Sequence, residues 1–113
     1  MEKMEESQSQ LVAFNIILYS GNARSLIHEA MEYMRNDQFE LAQEKLAEAD
    51  QELVQAHQAQ TDLLQEFSRG TVIEIQIIMV HAQDHLMTTM TLLEVAREME
   101  HLYKKLSVLS QNV

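Results

Sequence analysis

The chain contains no proline, and Gly21 and Gly70 are its only glycines in 113 residues. Those two residue types end helices and make the tight turns of β-rich folds, so a chain nearly free of them favours long helices. Two polar breaks divide the sequence, at Asn36-Asp37 and at Ser68-Arg69-Gly70. Apolar residues at helical spacing (Leu11, Phe14, Leu18, Leu26, Ala30, Met34) predict a first helix over 11–34, which Gly21 interrupts without ending. Asp37 with Glu40 has capping-box spacing at the start of a second helix. Its apolar row runs from Leu41-Ala42 through Leu46, Ala49, Leu53 and Ala56 to Gln60 and Leu64, reaching about Phe67. Gly70 is placed to close that helix, and Thr71 with Glu74 repeats the capping-box spacing for a third. Val72 to Ile78 is β-branched and partly alternating, which locally reads as a strand. It is assigned to the third helix, because no second strand exists to pair its backbone groups. The apolar pattern then continues to Leu106, with Arg97, Lys104 and Lys105 towards the negative pole. Short loops make consecutive helices antiparallel neighbours. The expected fold is all-α, one antiparallel three-helix domain over residues 1–113, with flexible ends at about 1–9 and 107–113.

The absence of cysteine excludes a disulfide framework and thiol-based metal or redox chemistry. No apolar run reaches the roughly 18 residues that a membrane span needs. Met1-Glu2-Lys3-Met4-Glu5-Glu6 is acidic and lacks the basic-then-apolar order of a signal peptide, so a cytoplasmic protein is expected. The net charge is −10, and 13 of the 18 acidic residues precede Gly70 against five basic ones there. Such a balance disfavours nucleic acid, whose binding rests on neutralising phosphates. It suits either a basic protein partner or simply a solvated acidic surface.

The third helix carries more apolar surface than one bundle uses. One row (Ile78, Ala82, Thr89, Leu92, Ala96, Met99, Tyr103, Leu106) can face the other two helices. A second row, at spacings of three and four, is Ile73, Ile77, Val80, Asp84, Met87 and Thr91. That is the pattern of a seam that packs against copies of itself, and Ile and Val at successive positions shift the preference beyond dimers. A single Asp84 in such a seam can set register and oligomer state. Three aspartates meeting on a symmetry axis need protons or a cation to offset their charge, and hard oxygen ligands suit Mg²⁺. The plainer alternative has Asp84 in solvent and the row in the ordinary bundle core.

The densest chemistry lies in Val80-His81-Ala82-Gln83-Asp84-His85-Leu86-Met87-Thr88. On a helix, His81 and His85 are neighbours at i, i+4, with Asp84 beside His81 at i+3. The trio is a candidate metal site, although the spacing is not that of zinc proteases. It is equally a candidate phosphoryl acceptor, because neutral imidazole is a nucleophile near neutral pH. Unusually polar helix packing is the third reading. Gln83, Asp84, His85 and Thr88 lie close enough along the helix to orient an acceptor. His57, within Ala56-His57-Gln58-Ala59-Gln60-Thr61, can approach from the second helix. Glu98 and His101 have the E-x-x-H spacing of di-iron bundles but lack the second pair. The eight methionines read as core filling.

At these residues the chain resembles the IIA component of the lactose/cellobiose (diacetylchitobiose) family of the bacterial sugar phosphotransferase system. The resemblance rests on Gly21-Asn22-Ala23-Arg24-Ser25, Asp37-Gln38-Phe39 with Ala42, Ala56 to Thr61, and above all Val80 to Thr88, in that order. It covers about residues 10–106. It implies a homotrimer whose third helices form a central parallel coiled coil. It implies that His81 is phosphorylated by the phosphocarrier protein HPr and passes the group to a cysteine of the IIB component. Gln83 and His85 are then supporting residues, with His57, Gln60 and Thr88 as site neighbours. Asp84 sits on the trimer axis, where a divalent cation such as Mg²⁺ binds; no organic cofactor, nucleic acid or membrane insertion is implied. Ala82 leans towards the cellobiose/chitobiose branch over the lactose one. The competing reading is a non-catalytic, trimeric or metal-binding helical adaptor.

Overall fold

The computed structural model describes residues 2–112. Three helices, α1 (Glu6–Arg35), α2 (Phe39–Ser68) and α3 (Ile77–Gln111), form an up-down-up bundle about 68 Å long. Both α2 and α3 pack principally on α1 and touch each other less extensively. Among the described residues no helix is long and apolar enough to cross a membrane.

The core is a set of heptad rows that mix small and large side chains, alternating strictly in α2. α1 buries Ser9, Ala13, Ile16, Ser20, Ala23, Ile27, Ala30 and Met34. α2 buries Ala42, Leu46, Ala49, Leu53 and Ala56, and α3 buries Met79, Ala82, Leu86, Thr89, Leu93, Ala96 and Glu100. Alternating sizes let facing layers interdigitate at native density. This corrects the expected α1 row. Leu11, Phe14 and Leu18 stand outside the bundle, more than half exposed, while Ala13, Ile16 and Ser20 take the inner face. Both rows have helical spacing, so periodicity alone does not choose between them. On α3 the first row faces inward as expected, except that Leu106 is exposed.

Both helix ends close by the same device. The N–H of Gln38 donates to the Tyr33 carbonyl and that of Asp37 to Met34, with Asp37 at φ 60°. The N–H of Thr71 donates to Glu66 and that of Gly70 to Phe67, with Gly70 at φ 96°. These are the paired bonds of a Schellman motif, whose left-handed residue is usually glycine and sometimes a short polar residue. Gly70 thus ends α2 as expected. Asp37 ends α1 instead of capping α2, whose N-cap is Gln38 without a side-chain bond. Two substitutions test this backbone account. Gly70→Ala should lower stability by about 1 kcal/mol, because an L residue is strained at that φ. Gly21→Ala should raise it by about 1 kcal/mol: Gly21 lies mid-helix, and a Cβ there would meet nothing within 4 Å. Urea midpoints at one protein concentration check both.

The second correction concerns residues 72–76. α3 begins at Ile77, its N-cap is Gln76, and the Thr71–Glu74 capping box does not form. The stretch is extended, and its missing partner is the N-terminal segment. The Val72 N–H donates to Glu2, the Met4 N–H donates to Val72, and Lys3 and Val72 form a parallel bridge. Lys3 Nζ also lies 2.7 Å from Glu74 Oε1. Hydrogen bonding and charge raise the Lys3 pKa above 10.5 and hold Glu74 below 4.5. A depressed carboxyl stabilises above its unfolded value and loses that contribution as pH falls; a raised ammonium loses its contribution as pH rises past 10.5. The clasp should therefore hold between those limits. Proximity signals between Lys3 and Val72 in NMR should weaken below about pH 4, and Glu74→Gln should reproduce the weakening at neutral pH.

Candidate functional site

The motif Val80–Thr88 occupies the second to fourth turns of α3, and helical geometry divides its side chains among three directions. Ala82 and Leu86 are fully buried and anchor the helix to the bundle. His81, Asp84, Met87 and Thr88 are exposed, whereas Gln83 and His85 are half-buried on opposite flanks.

On the flank facing α1, the His81 and His85 ring centroids are 6.0 Å apart. The next turn is clamped by Arg24 of α1. Its Nη2 donates to Thr88 Oγ1 at 2.8 Å and to Thr89 Oγ1 at 3.1 Å, and its Nε donates to Thr89 Oγ1 at 3.2 Å. Thr89 Oγ1 in turn lies 3.5 Å from His85 Nδ1. Thr88 Oγ1 donates back to the Asp84 carbonyl at 2.8 Å. The structure thus places His81 beside His85, and Thr88 on the following turn beside Arg24. It adds Arg24 and Thr89, to which the sequence reading assigned no site role: Arg24 was only one letter of a motif, and Thr89 only a core position. The available signal was a cation in the middle of a helix, next to the core residue Ala23.

On the other flank, Gln83 Oε1 accepts a hydrogen bond from Gln60 Nε2 of α2, and Gln60 also contacts Met87 Sδ at 3.8 Å. Gln83 lies about 200° around the helix from His81, so the two do not meet within one chain. His57 is not brought to His81 either. It lines a groove between α2 and α3 with Asp50, Val54, Met90, Glu94 and Arg97, further along the bundle.

Asp84 lies nearly opposite the buried face of α3, and its carboxylate makes no hydrogen bond or ion pair among the described residues. Around it stand Ile77 (91% exposed), Val80 (58%) and Met87 (53%). The second apolar row therefore lies outside the bundle core, as an unpartnered strip on the protein surface. Ile73 precedes the helix and does not belong to the strip's helical part. Among the described residues no three His, Asp or Glu side chains cluster closely enough to hold a metal ion. His81, Asp84 and His85 are therefore not a ready metal site within one chain.

Residues 11–104 match the family of the lactose/cellobiose-specific IIA subunits of the PTS system. The chain belongs to that family. This IIA chain is 42% identical over 104 residues to the lichenan-specific phosphotransferase enzyme IIA component of Bacillus subtilis, covering 92% of this chain and 94% of that one. Its fold matches the crystal structure of PtcA from S. mutans with a TM-score of 0.88 and 64% identity, over 89% of this chain and 99% of that one. It also matches the solution structure of the Escherichia coli IIA(chitobiose)–HPr complex, with a TM-score of 0.75, 32% identity, and 92% and 99% coverage. The expected all-α three-helix architecture and the expected family are thus both found. The protein is a lactose/cellobiose-type IIA component of the phosphotransferase system.

Proposed function

We propose that this IIA chain is a cytoplasmic phosphocarrier, in which His81 takes a phosphoryl group from HPr and passes it to a cysteine of a IIB component. The observation that carries the reading is the exposure of His81 beside a half-buried, hydrogen-bonded His85, on a helix held rigidly by its buried face. Two partners in turn must reach the same imidazole nitrogen, which requires an exposed ring. Support comes from the similarity to an E. coli IIA solved in complex with HPr. In the first step a His81 nitrogen attacks phosphorus, the N–P bond on HPr breaks, and a new N–P bond forms. In the second the IIB thiolate attacks, an S–P bond forms, and His81 is released. Such transfers depend on positioning and electrostatics more than on covalent catalysis. Side chains on a helix lean towards its N-terminus, so a phosphoryl group on His81 would sit towards the positive pole of α3.

The same reading includes a homotrimer. The strip of Ile77, Val80 and Met87 surrounds Asp84 on the outer face of α3, and a parallel three-stranded seam would cover it. With Asp84 turned to the axis, the His81 flank of one protomer meets the Gln83 flank of the next. Gln83 and Gln60 would then support His81 across the interface, although they cannot do so within a chain. One carboxylate per chain is too few to hold a cation, but three on an axis, completed by water, suit Mg²⁺. The ion would neutralise charge at the axis and takes no part in the transfer.

Incubation with phosphoenolpyruvate, enzyme I and HPr should add one acid-labile phosphoryl group to each chain, read by intact mass. Absence of the added group under conditions that phosphorylate HPr would remove the carrier reading and leave a helical adaptor. Ala82 is fully buried, so its identity bears on helix packing, while the sugar is chosen in the components that contact it.

A further inference from the structure

The Arg24–Thr89–His85 chain follows a donor–acceptor order with a chemical consequence. Arginine has only donors. Two of its N–H groups, on Nε and Nη2, point at Thr89 Oγ1, at 3.2 and 3.1 Å, and occupy the lone pairs of that hydroxyl. Its one proton must therefore go elsewhere. Thr88 shows the usual outlet: its hydroxyl accepts from Arg24 and donates to the backbone carbonyls of Asp84 and His85, at 2.8 and 3.3 Å. Thr89 makes no such backbone bond among the described residues. Its remaining contact is His85 Nδ1, long at 3.5 Å. Thr89 is fully buried, so water does not offer the proton an alternative. A hydroxyl that is saturated as an acceptor can only donate to His85, which makes Nδ1 the acceptor. In a neutral ring the other nitrogen, Nε2, then carries the hydrogen.

We propose that Arg24, acting through Thr89, holds His85 in its Nε2–H tautomer, so that His85 donates a hydrogen bond to the phosphoryl group carried by His81. The inference rests on the reading of His81 as acceptor. Arg24 and Thr89 act through His85, as positioning residues. Nδ1 is the ring nitrogen that meets Thr89, which leaves Nε2 free for another acceptor, and the two imidazole centroids are 6.0 Å apart, a gap that a phosphoryl group on His81 would narrow. A neutral donor fixed in place before transfer costs no reorganisation during it. The arrangement also explains why a cation is clamped to two hydroxyls rather than to a carboxylate: its role is to order protons, and an ion pair would not do so.

The test has two arms. In unphosphorylated protein with ¹⁵N-labelled histidine, at a pH where the rings are neutral, long-range ¹H–¹⁵N NMR reads the tautomer directly. Wild-type His85 should be wholly Nε2–H, with an Nδ1 shift showing an accepted hydrogen bond. Arg24→Met and Thr89→Val should each lose that shift and admit the Nδ1–H form, and Thr89→Ser should retain the wild-type pattern. A protonated Nδ1 in the wild type, or an unchanged ring in both Arg24→Met and Thr89→Val, overturns the proposal. The second arm measures phosphoryl transfer from phospho-HPr. Arg24→Met and Thr89→Val should each slow it about 10-fold, the usual effect of losing an orienting partner. In His85→Gln, whose amide N–H has no tautomer to set, adding Arg24→Met should cause no further loss. A full further loss there would assign Arg24 a merely structural role. The NMR arm needs no phosphorylation, so it stands or falls separately from the carrier reading.

Discussion

Replacing His81 with alanine should abolish labelling from phosphoenolpyruvate, enzyme I and HPr, while helical circular dichroism stays unchanged. His81 is exposed and contributes nothing to the core, so the substitution should leave the fold intact. The expected loss is on the order of 10⁴-fold or more, because the nucleophile of a covalent intermediate cannot be replaced by its neighbours. His85→Ala should behave differently. It removes a donor to the transferred group and should slow labelling roughly 100-fold without preventing it. The contrast between the two histidines is the informative result. Equal loss in both would mean that the pair acts as a unit, and label surviving in His81→Ala would move the acceptor elsewhere.

The second large effect is expected at Asp84. In the trimer reading, Asp84→Leu completes an apolar seam with Ile77, Val80 and Met87. Replacing buried charges with apolar groups of similar size commonly stabilises an assembly by about 1–4 kcal/mol. The variant trimer should therefore resist dissociation and denaturation more than the wild type, and a chelator should not affect it. The wild-type trimer should weaken when divalent cations are removed, since a ligand that binds only the assembled state stabilises it by mass action. Light scattering and thermal midpoints with and without chelator measure both effects. A wild-type mass equal to one chain would sink the trimer, and indifference to chelator would remove the cation from its axis.

Much of the architecture was legible because it depends on local properties. The scarcity of helix breakers left two places for turns, and both turns occur there. Gly70 closes α2 because the left-handed φ at that position favours a residue without a Cβ. The capping boxes were a weaker guide. Asp37 and Thr71 each stand at the right spacing from a glutamate, yet Asp37 is used to end α1, and Thr71 precedes an extended stretch. Residues 72–76 looked like a strand and adopt extended backbone. They are not helical because Val72 pairs with Glu2 to Met4, about seventy residues away and before the first helix.

The first helix shows the limit of periodicity. Leu11-Phe14-Leu18 and Ala13-Ile16-Ser20 are both helical rows, and the larger side chains are on the outside. Small residues inside let neighbouring helices pack closely, an advantage that appears only once those helices are present. The site divides in the same way. The residues of Val80–Thr88 and their placement on one helix follow from the sequence, and so does the family resemblance, because motif and helical spacing are local. Which flank each side chain serves is a tertiary matter. Gln83 bonds to Gln60, His57 lies in a different groove, and Arg24 reaches Thr89 from 65 residues away in sequence. Local spacing determined that the chain forms three helices and carries its chemistry on the third. Only the packing of α1 and α2 against α3 decided which rows are buried and which side chains surround His81, since those contacts join residues far apart in the chain.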